Sequence, residues 1–318
     1  MMEIAHTPVL LEETIQYLAP KGGSEMMIDA TMGEGGHSYA FLSRFSDLSV
    51  MGIDADPAIQ AVARERLAEF GNRVRFYQGW SQDFFAAYPA GLARPHTVLA
   101  DLGISLFHYR KSGRGFSFSA DEKLDMRLDT THNLSAADVL MRMSEQDIAD
   151  ILYNNAGERY SRRIARAIVQ ERQRGGTITT AAALAELVER AVPAAYRHGP
   201  THPATKTFMA LRIEVNRELF RLPDLLEGAL EVLEPGGKLG IISYHSAEDR
   251  IVKNFFKMKN RSCSCPPQAP SCTCGGRRKL NILTRKGVTA GEAEIKRNPP
   301  SRSARLRVAE KVMEKDVR

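Results

Sequence analysis

The stretch Met27-Ile28-Asp29-Ala30-Thr31-Met32-Gly33-Glu34-Gly35-Gly36-His37 limits what this chain can fold into more than any other. A short apolar run ends in a carboxylate, three glycines fall within four positions, and a helical pattern through Tyr39, Phe41 and Leu42 follows. That is a strand, a tight turn and a helix, with glycine where backbone must take positive φ or come close to a ligand. A second apolar run, Val50-Met51-Gly52-Ile53, ends at Asp54, seventeen residues beyond His37. Such folds place an acid about there, to hold the two hydroxyls of a ribose. The spacing fits one βαβ unit and predicts an α/β sheet.

The glycines depart from the dinucleotide pattern Gly-x-Gly-x-x-Gly, because Ser38 stands where the third glycine should be. Asp29, just ahead of them, would repel a pyrophosphate and attract an ammonium. S-adenosylmethionine carries an ammonium, a carboxylate and a ribose but no phosphate, and it is the ligand this stretch fits best. The other reading is a structural glycine turn.

Further strands follow in the order such a sheet needs. Pro57 opens a helix through Ile59, Val62, Ala63 and Leu67, and Val74-Arg75-Phe76-Tyr77 is a third strand. The turn Gly79-Trp80-Ser81 then falls at the carboxyl edge, where ligands bind in open α/β sheets. Trp80, the only tryptophan, either stacks on an adenine or fills the core. Thr97-Val98-Leu99-Ala100-Asp101 is the fourth strand. Asp101 would face the reacting group as an acceptor for an amine; its alternative is a turn or N-cap aspartate. From Leu134 to about Pro203 the pattern is almost wholly helical, with a capping box at Ser144-Glu145-Gln146-Asp147 and a basic face of Arg159, Arg162, Arg163 and Arg166. A long helix starts at Thr205, a second spans Leu222 to Leu233, and Lys238 to Ser243 is the fifth strand, bringing Tyr244-His245-Ser246 to the edge that carries Asp101.

At 318 residues the chain can bury a full core. No apolar run approaches a membrane span, and Met1-Met2-Glu3-Ile4 lacks the regions of a signal peptide, so a cytoplasmic protein is expected. The net charge of +6 is unevenly placed: from Arg250 onward there are 18 Lys/Arg against 5 Asp/Glu. A basic end on an acidic body suits a polyanion, since phosphate neutralisation with counterion release drives nucleic-acid binding. Arg302, Arg305 and Arg307 alternate with serine and leucine there, fitting phosphate contacts and a terminal strand around Leu306-Arg307-Val308 alike. Cys263, Cys265, Cys272 and Cys274 fall within twelve residues. Cys-x-Cys is not the Cys-x-x-Cys of common zinc sites, and the sequence leaves open a metal site or a reduced, proline-rich loop. No metal is assigned.

Seven segments, in order, resemble the RsmH (MraW) family of methyltransferases acting on small-subunit ribosomal RNA. They are His6-Thr7-Pro8-Val9-Leu10-Leu11, Asp29 to Ser38, Arg114-Gly115-Phe116-Ser117-Phe118, Leu124-Asp125-Met126-Arg127, His202 to Phe208, Tyr244 to Lys253, and Asn298-Pro299 with Ser301 to Arg307. The resemblance covers nearly the whole chain. It implies a Rossmann-like S-adenosylmethionine methyltransferase sheet with an inserted all-helical domain, and N4-methylation of a cytidine in the decoding centre of 16S RNA. The family's cofactor positions fall on Gly33, Gly35, Gly36, His37, Asp54, Trp80 and Asp101. A further one, a glutamine in a Ser-Ser-Pro-Gln run, corresponds to His108 in Ser105-Leu106-Phe107-His108, so altered cofactor contact is expected there.

The expected organisation is a first part of the methyltransferase core over 1–112, a helical RNA-recognition insertion over 113–204, and the rest of the core with the cysteine loop and basic tail over 205–318. Asp101 is the expected catalytic residue, accepting the N4 hydrogen of a cytosine held out of its stack. The expected partner is the small ribosomal subunit or its RNA, with neither DNA nor a membrane, and with a homodimer left open. A methyltransferase on a non-RNA substrate, or a non-catalytic assembly factor that binds RNA, are the alternatives.

Overall fold

The computed structural model describes residues 7–131, 133–262 and 278–313. It divides into two compact units, Met1–Ile104 with Arg221–Arg318, and Ser105–Phe220.

The first unit is built on seven strands: β1 (Met26–Asp29), β2 (Ser49–Asp54), β3 (Val74–Gln78), β4 (Thr97–Asp101), β5 (Lys238–Ser243), β6 (Leu280–Ile282) and β7 (Arg305–Lys311). They lie in the order β3-β2-β1-β4-β5-β7-β6. The first five run parallel, and β7 is antiparallel to both of its neighbours. A parallel sheet is covered on both faces, so its strands read as continuous apolar runs rather than alternating ones. All four residues of β1 are buried, as are Thr97 to Ala100 of β4. One face packs Met27, Leu99, Ile242 and Leu306 against Leu10, Leu18, Phe41 and Leu42. The other packs Ile28, Val98, Ala100 and Ile241 against Phe84, Leu226, Phe255 and Phe256. Strand order reverses at β1, between β2 and β4. The crevice beyond the carboxyl ends of β1 and β4 is therefore the place where such a sheet binds ligands.

Segments near the two ends of the sequence meet in this unit. The Leu10 N–H donates to Glu294 Oε1 at 2.7 Å, and Asn298 Nδ2 donates to the Thr7 carbonyl at 3.0 Å. The chain near its start is thereby fastened beside the glycine turn by the segment that leads into β7.

The second unit contains no named strand among its described residues. Its longer helices are Glu145–Ala156, Ser161–Gln173, Ala181–Ala191 and Thr205–Asn216. Leu140, Ile148, Leu152, Ile164, Ile168, Leu184 and Leu211 are almost wholly buried. The capping box expected at Ser144 is present, with Asp147 as its second member. The segment Leu124 to Leu128, which lies in no named helix or strand, is pinned. Asp125 pairs with Arg127 through two contacts of 2.7 Å, and Asn216 bonds both the Met126 carbonyl and the Leu128 N–H at 2.8 Å. Arg162, Arg163 and Arg166 are exposed along one helix.

The α/β class, with a Rossmann-like sheet and an all-helical insertion, is what the chain adopts. Two local expectations shift. The helix expected from Leu222 begins one turn earlier, as Glu218–Val232, with Pro223 inside it. Strand β6 is not apparent in the sequence, because three residues are too few to display a period of two. Neither His6 nor the four cysteines fall within the described residues, so the readings attached to them lie outside those residues.

Candidate functional site

The glycine turn owes its glycines to two constraints. Gly33 and Gly35 sit at φ 55° and 75°, the left-handed region that an L side chain enters at a cost. Gly36 has ordinary φ, but a Cβ there would come within 2.7 Å of Pro8 Cγ, so the turn must be bare to receive the N-terminal segment. Gly35 precedes the helix Gly36–Arg44, which places His37 and Ser38 in its first turn. Asp54, at the end of β2, ties this turn to the sheet. Its Oδ2 accepts the Gly33 N–H at 2.8 Å and its Oδ1 the Asp56 N–H at 2.9 Å.

Two further acids stand at the ends of β1 and β4. Asp29 is buried and its Oδ2 accepts the Ser38 hydroxyl at 2.6 Å. Burial pushes its carboxyl above the usual range, against the opposing pull of the Ser38 hydrogen bond. The side chain of Asp101 keeps 18% of its surface exposed. Its backbone N–H donates to the Thr31 hydroxyl at 2.7 Å, while its Oδ1 accepts the Gly103 N–H at 3.0 Å. Its Oδ2 accepts the Tyr244 phenol at 3.3 Å. Desolvation, and then the neighbouring Asp101 carboxylate, hold that phenol well above the usual tyrosine range, so it stays a donor throughout the neutral range. Gly103 is required by the same contact, since a Cβ there would lie 2.6 Å from the Tyr244 ring.

Tyr244 is itself held from behind. The buried Glu248 accepts the Tyr244 N–H at 2.8 Å through Oε2 and closes a capping box with His245 at the head of the helix Ser246–Lys259. His37 completes the cluster, with Nε2 3.6 Å from Asp101 Oδ2. Among the described residues, both of its ring nitrogens are buried without a hydrogen-bond partner. Buried polar atoms are nearly always satisfied, so an orphaned imidazole facing a carboxylate marks a place prepared for a ligand's polar group. S-adenosylmethionine fits what surrounds it: acids for an ammonium, a fixed acid at the end of β2 for a ribose, and backbone bared by glycine.

The structure brings Gly33, Gly35, Gly36, His37, Asp54 and Asp101 to neighbouring strand ends of one sheet edge. Trp80 follows β3 on the same edge and precedes the helix Ser81–Ala86. One face of its ring is covered by the Arg221 guanidinium at 4.0 Å, so it is neither a bare platform nor a core ring. His108 belongs to the second unit, where it is buried with its ring edge-on to Phe107 and Phe116. Ser105 in that loop is the N-cap of the helix Leu106–Arg110, accepting the Phe107 N–H at 3.1 Å. Among the described residues no cluster of His, Cys, Asp and Glu is arranged to hold a metal. Sequence reasoning left Thr31, Ser38 and Glu248 without roles. Only the capping spacing from His245 to Glu248 hinted at the last, and a histidine in the capping position hid it.

Residues 3–312 match the MraW methylase family. A curated relative, Ribosomal RNA small subunit methyltransferase H of Treponema denticola, is 54% identical over 311 residues, covering 98% of each chain. The protein of the same name from Carboxydothermus hydrogenoformans is 44% identical over 98% of this chain and 99% of its own. That from Treponema pallidum is 42% identical over 97% of this chain and 93% of its own.

Proposed function

The chain belongs to the MraW methylase family and is an S-adenosylmethionine-dependent methyltransferase, and from that premise we propose that it methylates N4 of a cytidine in the decoding region of 16S RNA, in the cytoplasm. The observation that carries the choice of an amine is Asp101, an accessible carboxylate held by two donors at the sheet edge. The small-subunit RNA follows the names of the relatives and the basic charge from Arg250 onward.

When bound, S-adenosylmethionine supplies an electrophilic methyl group. The glycine turn with His37, Asp54 and Trp80 holds it. The cytosine N4 is a poor nucleophile because its lone pair is delocalised into the ring. Asp101 accepts a hydrogen bond from N4, favours its pyramidal form and takes the proton as the N–C bond forms. Gly103 and Tyr244 fix the carboxylate in position, and this preorganisation supplies much of the rest. The exposed arginines of the helical unit bind the RNA backbone.

The test is mass spectrometry of ribosomal RNA nucleosides from cells with and without the gene, together with methyl transfer to purified small subunits. Loss of N4-methylcytidine on deletion, restored by wild-type protein and not by Asp101→Asn, is expected. Unchanged N4-methylcytidine in the deletion would refute the substrate.

A further inference from the structure

The basic charge from Arg250 onward divides into two groups once side-chain partners are assigned. Several cations are engaged within the fold. Arg307 is buried and grips Asp249 at 2.7 and 3.0 Å. Lys311 donates to the carbonyls of Leu230, Glu231 and Leu233, closing the end of the helix Glu218–Val232, and Lys259 pairs with Glu227 at 2.6 Å. These cations serve packing and capping.

Four others behave differently. Arg250, Lys253, Lys257 and Arg261 are exposed, and none has a side-chain partner among the described residues. The first three lie on the helix Ser246–Lys259, and Arg261 follows its end. At 100° per residue Arg250, Lys253 and Lys257 fall within about 60° of one another, on the face opposite Val252, Phe255 and Phe256, and Arg261 follows just past the C-cap Asn260. Among the described residues no acid shares the stripe; Asp249 is turned to Arg307 and Glu248 is buried. Lys257 and Arg261 suit the negative end of a helix dipole, but Arg250 and Lys253 stand in its first half, where a cation gains nothing from the dipole. Four like charges held in a row without counter-charges cost self-repulsion, which an external polyanion would remove.

The stripe also has a direction. The helix begins immediately after Tyr244 and His245, whose first member touches Asp101. From Arg250 to Arg261 the axial rise is about 16 Å. A strand whose reacting base lies at Asp101 could therefore pass along this face. The turn after β6 extends it at the end nearest the site: the exposed Arg285 and Lys286 are tied by their carbonyls to Arg307 and Arg305, next to Asp249.

We propose that the solvent face of Ser246–Lys259, carrying Arg250, Lys253, Lys257 and then Arg261, is the track for the phosphates of the RNA strand flanking the methylated nucleotide. This rests on the reading that the substrate is RNA, and it adds where the flanking strand runs. The phosphates are held by charge and not by sequence.

The test uses the full-length chain and a labelled single-stranded RNA oligonucleotide, with affinity measured across a potassium chloride series. The variant R250Q/K253Q/K257Q/R261Q should lower the slope of log affinity against log salt by about 3, at roughly 0.7 per phosphate on a single strand. R250Q/K253Q should lower it by about half as much, which keeps the test valid if the quadruple variant folds poorly. R64Q/R75Q, which removes two exposed charges elsewhere in the same unit, should leave the slope nearly unchanged. S-adenosylmethionine binding by calorimetry should be the same in all of them. A wild-type slope in both stripe variants, or an equal fall in the control, would overturn the track while leaving the RNA reading intact. Salt-insensitive or absent RNA binding by the wild-type chain would overturn both.

Discussion

Two acids at the same sheet edge are held in contrasting ways. Asp54 is fixed by backbone, each oxygen taking an N–H at 2.8 or 2.9 Å from a chain segment that the fold itself immobilises. Asp101 has one such bond, from Gly103, and its other oxygen meets only side chains: the Tyr244 phenol at 3.3 Å and His37 Nε2 at 3.6 Å. An acid clamped by backbone can recognise a ligand but cannot adjust to one. An acid bordered by long side-chain contacts retains acceptor capacity and can change partners as charge develops. The first arrangement suits holding a ribose, the second suits proton chemistry.

The contrast breaks most visibly at Asp101. Asp101→Asn keeps the acceptor for Gly103 but removes the base, and kcat should fall ~10²-fold or more, the usual worth of a positioned general base. Affinity for S-adenosylmethionine should change much less, as read by calorimetry. A kcat within a few-fold of wild type would assign the base elsewhere. Asp54→Ala should show the opposite split. It removes the charged acceptor for the ribose, worth ~1.5–3 kcal/mol for a hydrogen bond to a charged group, so cofactor affinity should weaken roughly 10- to 100-fold. Turnover at saturating cofactor should be nearly retained; a variant that loses kcat and keeps affinity would merge the two acids into one role.

Tyr244→Phe sharpens the same line with a smaller effect. It deletes one long hydrogen bond to Asp101 and keeps the ring that Gly103 accommodates. A loss of ~3- to 10-fold in kcat is expected, with cofactor affinity unchanged, in keeping with ~1 kcal/mol for a hydrogen bond to a charged group at poor distance. Because the phenol stays protonated through the neutral range, the pH profile of kcat between 6 and 9 should keep its shape in the variant. A displaced inflection would make Tyr244 a titrating participant.

The donor side of this site was legible in sequence because backbone geometry leaves a compositional trace. Positive φ at Gly33 and Gly35 can be met cheaply only by glycine, and a strand buried on both faces must be apolar up to the acid that ends it. The acceptor side was less legible. Asp101 could be picked from its place after β4, and its bond to Gly103 is a local turn that the sequence allows, but Thr31 and Tyr244 act on it from 70 and 143 positions away. No local pattern encodes pairings of that range. The basic end misled in another way: composition counts every cation alike, whereas Arg307 and Lys311 are consumed by the fold and Arg250 and Lys253 are not. Motif order still identified the family, since each motif records a contact, such as Thr7 with Asn298, that the fold needs.

The smallest expected effect tests why Asp29 differs from both of its neighbours. Burial raises its carboxyl above the usual range, so the folded chain holds this proton more tightly than the unfolded chain does. By linkage, folding is then favoured at low pH, and that advantage is lost as pH rises from the unfolded pKa near 4 through the raised folded value. Asp29→Asn removes the buried charge at constant shape. Its amide oxygen can keep the Thr31 N–H while its Nδ2 donates to the Ser38 oxygen, and the Ser38 hydroxyl then turns its hydrogen to a carbonyl one turn back along the chain. The variant should therefore match wild type in thermal stability near pH 4 and exceed it at pH 7, with a difference in Tm that opens as pH rises. Wherever the wild-type carboxyl has ionised, the same change removes a negative charge from the site that is to receive an ammonium, so cofactor affinity should fall while stability rises. Greater stability at pH 7 without weaker binding would make Asp29 a purely structural acid; lower stability at every pH would mean that its charge, and not only its shape, supports the glycine turn.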